Sequence, residues 1–109
     1  MKMVMINYYV GLDPDVMEII EALRICTYTR VPEAQGRISC GEPREGSHVW
    51  PGANSMLSVV VDDRTAEALM DRIESYNERA HGEGLDAFVL SVERAVWATN
   101  PASRPAPET

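Results

Sequence analysis

Cys40 and His48 share one stretch of the chain, GRISCGEPREGSHVWPGANS (Gly36–Ser55), with Glu42 and Glu45 between them. A thiolate, an imidazole and carboxylates are donors suited to Zn²⁺ or a copper ion, the more so if several subunits pool their loops. The spacing carries no C-x-x-C and no paired histidine, so it equally fits one free cysteine and one solvated histidine. Cys40 with His48 is also the one plausible nucleophile–base pair, yet nothing around it lowers the thiol pKa or orients the imidazole. Catalysis is therefore not expected. Trp50-Pro51-Gly52 follows. Pro51 pushes Val49-Trp50 towards extended geometry, and Trp50 can anchor a partner or pack on a neighbouring subunit to close a cleft. Ser39 and Ser47 are read as turn formers.

This stretch is long for a small domain, where loops beyond about 12–15 residues are usually functional or disordered. The elements on either side must position it. MVMINYYV (residues 3–10) is β-branched and aromatic, with Val4, Ile6, Tyr8 and Val10 on one face, and reads as a first strand. A helix follows, with Asp13 as N-cap, Pro14 at the first helical position and a stripe of Val16, Ile19 or Ile20, and Leu23. Cys26 closes it as a buried small apolar residue. TYTRV (27–31) is a second strand, and MLSVVV (56–61) a third, with Leu57, Val59 and Val61 on one face. The run from Asp62 to Gly84 opens on an acidic cap and continues as a helix through Ala66, Leu69, Ile73 and Tyr76. His81 is placed in its last turn, and Gly82 or Gly84 stops it. AFVLSVERAVW (87–97) is a fourth strand, and the proline-bearing segment 98–109 is read as a disordered tail.

The order is β-α-β, loop, β-α-β. With right-handed crossovers this gives an α+β, ferredoxin-like βαββαβ sandwich over residues 1–97: a four-stranded antiparallel sheet with two helices on one face. The other face, assigned Met3, Met5, Tyr9, Val89 and Ala95, is too apolar to prefer water and predicts self-association.

At 109 residues with 45% apolar composition, one domain can bury a core without a disulfide or metal staple. Ten Lys and Arg stand against seventeen Asp and Glu, a net charge of −7, and the basic residues form no run. That argues against nucleic acid or an anionic membrane surface as partner. The apolar N-terminus is broken by Asn7 and lacks a small-residue cleavage site, so a strand explains it better than a signal peptide. No window approaches the roughly 18 apolar residues of a membrane span. Two cysteines without a signal sequence suit reduced thiols in the cytoplasm. Glu18, Glu21, Glu67, Asp71 and Glu74 are assigned to outward helix faces.

Gly36-Arg37 at the head of the long loop, VVVDD leading into the second helix, and above all FVLSVERAV (88–96) make residues 1–97 resemble the PII signalling superfamily. GSHVWPGANS resembles a divergent PII-like subgroup, and its Trp-x-Gly is also distantly similar to the trimeric CutA-like relatives. The resemblance implies a cytoplasmic homotrimer that binds a small effector between subunits and shows it to a partner protein through the loop, with nitrogen regulation the usual business of the family. It implies ligand or loop-state contacts at Arg37, Gly41, His48 and Trp50, with Gly82 and Gly84 supplying the turn across the cleft.

The departures shape the ligand. Nucleotide-binding PII proteins use a Gly-Lys turn before the last strand and arginines after it, supplying charge and backbone N–H groups to a triphosphate. Here the turn reads HGEGLDAF, with Asp86 near the lysine position and Glu83 close by, and Trp97, Ala98 and Thr99 follow the strand. Weak or absent ATP binding is expected, with an AMP-like nucleotide or a metal ion as alternatives. The loop contains no tyrosine, so the tyrosine modification of enteric PII proteins is not expected. Two other readings stay open: a metal-binding CutA-like trimer using Cys40 and His48, and an interaction module whose loop needs no small ligand.

Overall fold

The structure, a computed structural model, describes residues 1–34, 53–80 and 82–98. The alternating strand β1 (Lys2–Tyr9) turns through a short 3-10 segment (Val10–Leu12) into α1 (Asp13–Ala22). β2 (Thr29–Ala34), β3 (Asn54–Val61), α2 (Asp63–Arg79) and β4 (Leu85–Ser91) complete the order. The sheet runs β2-β3-β1-β4, and every pairing is antiparallel. The chain therefore has the ferredoxin-like α+β arrangement.

Its core follows from the period-two pattern of the two central strands. Val4, Ile6 and Tyr8 of β1 and Leu57, Val59 and Val61 of β3 are buried against Val16 and Ile20 of α1 and Ala66, Leu69 and Ile73 of α2. The apolar positions of both helices recur at helical spacing, which is why one stripe of each meets the sheet. Asp62 caps α2 as its position predicts, accepting from the Thr65 backbone N–H at 2.7 Å. That hydrogen bond holds the Asp62 carboxyl below its usual pKa. Glu18, Glu21, Glu67, Asp71 and Glu74 are exposed, as assigned.

Several boundaries differ from the sequence reading. Leu12, not Asp13, is the N-cap of α1; the Asp13 side chain is engaged elsewhere. α1 ends at Ala22, and Arg24 turns the chain at φ 57°, so Cys26 lies beyond the helix and is exposed rather than buried. β2 begins at Thr29 and runs on to Ala34, with a register shift between Val31 and Ala34 that accommodates Pro32 on an edge strand. β3 starts at Asn54, so the last two residues assigned to the loop are in the sheet, where Tyr9 and Tyr8 of β1 pair with them.

β4 spans Leu85–Ser91 instead of 87–97 because its one partner strand among the described residues, β1, begins at Lys2, which faces Ser91. Val92 adds a single N–H bond to the Met1 carbonyl (3.2 Å), and the chain leaves the sheet there. Ala95 is therefore not on a strand. Val89 faces Val4, which puts it on the helix-covered side; its exposure reflects an edge position. Phe88 and Leu90 face Met5 and Met3 and take its place on the open face.

Candidate functional site

Tyr8 marks the end of the sheet where the chain enters and leaves the 36–55 segment and where the Gly82–Gly84 turn lies. In register it faces Ser55 of β3 on one side and Leu85 of β4 on the other. The foot of the long loop on β3 and the glycine turn that enters β4 are thus two strand spacings apart, about 10 Å. The other foot, Ala34 of β2, faces Asn54. Val10 secures the returning chain by donating its N–H to the Ala53 carbonyl at 2.7 Å.

Of the predicted site residues, Gly82 and Gly84 stand at this end of the sheet; Arg37, Cys40, Gly41, His48 and Trp50 lie outside the described residues, as does His81. The two glycines are required for different reasons. Gly82 has φ +103°, a conformation that side-chain-bearing residues rarely adopt, with open space around it. Gly84 is a matter of space: a Cβ there would come within 2.9 Å of Asn77 Oδ1. Asn77, in the last turns of α2, donates from Nδ2 to the Leu85 carbonyl and accepts the Leu85 N–H at Oδ1, both at 2.8 Å. This clamp ties the end of α2 to the start of β4.

A second network braces the same end from beneath. Tyr8 is fully buried, and its hydroxyl donates to Asp13 Oδ1 at 2.6 Å. The other oxygen of Asp13 is paired with the Arg30 guanidinium from β2. Burial, reinforced by the Asp13 hydrogen bond, pushes the Tyr8 phenol far above its usual pKa, while Asp13 raises that of Arg30. Ser55 Oγ donates to the Pro32 carbonyl at 3.2 Å across the two loop feet. The network joins β1, α1, β2 and β3 where the loop leaves and returns. Sequence reading missed it, as it missed Asn77, because each bond depends on a tertiary partner. The type and place of Asp13 suit a helix cap equally well, and only the positions of Tyr8 and Arg30 decide between the two roles.

On the face away from the helices, Met3 and Met5 stand beside Phe88 and Leu90 of β4 and Met56 and Val60 of β3, with Val31 of β2. Phe88 and Leu90 are about half exposed (55% and 46%). Among the described residues no group of three or more His, Cys, Asp and Glu is placed to hold a metal ion. No described helix is long and apolar enough to cross a membrane.

No family model matches the chain, and no curated protein matches it. Solved structures do. The chain is similar to CPII, a nitrogen regulatory PII-like protein from Thiomonas intermedia, in a structure bound to ADP, AMP and bicarbonate. The match has a TM-score of 0.68 at 19% identity and covers 96% of this chain and 93% of that one. A second structure of CPII, bound to ADP and bicarbonate, matches with a TM-score of 0.64 at 20% identity over 85% and 88% of the two chains. A protein of Thermus thermophilus assigned as PII-like in signaling matches with a TM-score of 0.62 at 26% identity over 82% and 83%. The resemblance is borne out in the backbone of the described residues, VVVDD and FVLSVERAV among them, and the chain has the PII-like fold; Gly36-Arg37 lies outside the described residues.

Proposed function

We propose that this chain is a PII-like signalling protein that works as a cytoplasmic homotrimer, binds a small effector in clefts between subunits and relays its presence to a partner protein through the loop of residues 36–55. One observation carries the reading: both feet of that loop and the Gly82–Gly84 turn come to the same end of the sheet, braced by Tyr8, Asp13 and Arg30. A ligand lodged there touches the loop's base and the turn together. It biases the loop only to the extent that it binds one loop state better than another. Structural neighbours described with ADP, AMP and bicarbonate support the ligand class.

The domain is taken as residues 1–97, with 98–109 as a tail. Arg37, Gly41, His48 and Trp50 supply the loop side of the cleft and Gly82 and Gly84 the turn side. Glu83 and Asp86 flank the turn and oppose a triphosphate, so AMP or ADP is the preferred ligand over ATP. The apolar open face around Met5 and Phe88 supplies the surface that subunits bury. The role is regulatory and not catalytic.

Native mass spectrometry of tag-free protein, followed by thermal shift with AMP, ADP, ATP and bicarbonate, tests this. A trimer whose melting temperature rises with the logarithm of AMP or ADP concentration supports the reading. A monomer, or a trimer indifferent to all four, sinks it.

A further inference from the structure

Asn77 is an exposed residue on a helix, yet its amide takes both backbone groups of Leu85, as a neighbouring strand would take them. Leu85 is the first residue of β4 and is buried against the core, opposite Tyr8. The segment between Arg79 and Leu85 therefore spans two fixed points, the end of α2 and the clamped first rung of β4. Within it, Gly82 supplies the positive φ, and Gly84 passes so close to Asn77 Oδ1 that a Cβ there would displace the amide. Shape and clamp agree: the amide that holds Leu85 is the same one that a Cβ at position 84 would push aside.

We infer that Asn77 is a positioning residue of the candidate ligand cleft: by clamping Leu85 to α2 it sets the placement of the Gly82–Gly84 turn, and through that turn the affinity for ligand. This rests on the proposed cleft for its second half only. A main-chain turn binds an anion or a base edge through N–H groups at fixed positions, so loosening its exit loosens the whole array.

The test compares the unaltered chain with Asn77→Ala, Asn77→Asp and Gly84→Ala, reading amide hydrogen exchange residue by residue and AMP affinity by calorimetry. Because Asn77 is exposed, its truncation opens no core cavity, and the variants are expected to fold. In Asn77→Ala the Leu85 amide exchanges at least about tenfold faster while Ile6 and Leu57 keep their protection, and AMP binds about tenfold more weakly. Asn77→Asp keeps an acceptor for the Leu85 N–H but turns a carboxylate oxygen towards the Leu85 carbonyl in place of the donor, so it too loosens the clamp. Gly84→Ala weakens AMP binding in the native background and adds nothing once Asn77 is alanine, since the clash partner is gone.

Equal Leu85 protection and equal AMP affinity in Asn77→Ala would overturn the inference. So would a loss of protection at Ile6 and Leu57 as large as at Leu85, which marks a general structural role. If the unaltered chain binds no AMP, the nucleotide reading fails, and the Leu85 exchange rate alone decides whether the clamp sets the turn.

Discussion

The Tyr8 hydroxyl donates to Asp13 Oδ1 over 2.6 Å from a side chain with no exposed surface. A buried phenol needs such a partner, and the first turn of α1 supplies it while Arg30 balances the charge. The three residues hold β1, α1 and β2 in one relation at the end of the sheet where the loop begins. Tyr8→Phe keeps the ring and leaves Asp13 paired with Arg30, so it costs about 1 kcal/mol. Asp13→Ala removes the phenol's acceptor and the partner of Arg30 together and costs more, about 2–3 kcal/mol. Urea unfolding of the two variants checks the order. Equal losses, or a larger loss for Tyr8→Phe, would contradict the network.

Tyr76 gives stability an alkaline limit. Its hydroxyl donates to Asp15 Oδ2 at 2.7 Å, tying α2 to α1, and burial with that hydrogen bond pushes its pKa up to about 12. A raised pKa means the folded state holds its proton more tightly than the unfolded chain. The contribution is complete below about pH 10, the ordinary tyrosine value, and fades as pH climbs towards 12. Tyr8, shifted in the same direction, adds to the fall. Tyr76→Phe should lower the melting temperature at pH 8 and make the decline between pH 10 and 12 shallower. An unchanged slope would show that the phenol does not carry it.

Asp62 sets the acid side. Its pKa is lowered, chiefly by the Thr65 hydrogen bond, so its contribution is full above the ordinary carboxylate value and is lost as pH falls through the lowered one. Asp62→Ala removes the cap and costs about 1 kcal/mol at neutral pH. Asp62→Asn keeps an acceptor for the Thr65 N–H and retains most of that stability, but loses its pH dependence. Thermal melts from pH 6 down to pH 3 separate the variants. Identical acid limbs in the unaltered chain and Asp62→Asn would remove Asp62 from the account.

The core was legible because it is written locally: alternation through Val4, Ile6 and Tyr8 and helical spacing through Ala66, Leu69 and Ile73 need no knowledge of the partner. The Asp62 cap was legible for the same reason. Strand ends were not, since β4 stops at Ser91 where β1 runs out, and nothing in SVERAVW itself encodes the length of β1. The face of Val89 depended on register with Val4, which alternation within a single strand leaves undetermined. The glycines at 82 and 84 could be picked as turn residues, but Asn77 could not be tied to them, because its two bonds exist only after α2 and β4 have docked.

The open sheet face predicts an oligomer defect that spares the fold. Phe88 lies opposite Met5 there, away from the core that Val4, Ile6 and the two helices form. Phe88→Lys should leave the far-UV circular dichroism unchanged while shifting the proposed trimer to monomer in native mass spectrometry. A lysine at that position is desolvated on assembly without a partner, a cost of several kcal/mol. A trimer that survives Phe88→Lys would move the subunit contact elsewhere.

Asp86 faces Asn7 across the β1–β4 register, one residue after the Leu85 clamp, and Glu83 stands on the other side of Gly84. Two carboxylates beside the turn penalise each added phosphate charge, so affinity is expected to fall from AMP to ADP to ATP. Asp86→Lys reverses one of those charges. With solvent and salt screening, the reversal favours ATP over AMP by about 1–2 kcal/mol, on the order of tenfold in relative affinity. Calorimetric titration of both chains with all three nucleotides, at fixed ionic strength and without added metal, measures it. A ranking that does not change on substitution would mean that Asp86 lies out of reach of the phosphates. A native preference for ATP would mean that positive charge reaches the cleft from Arg37 or from a neighbouring subunit in sufficient measure to outweigh both carboxylates.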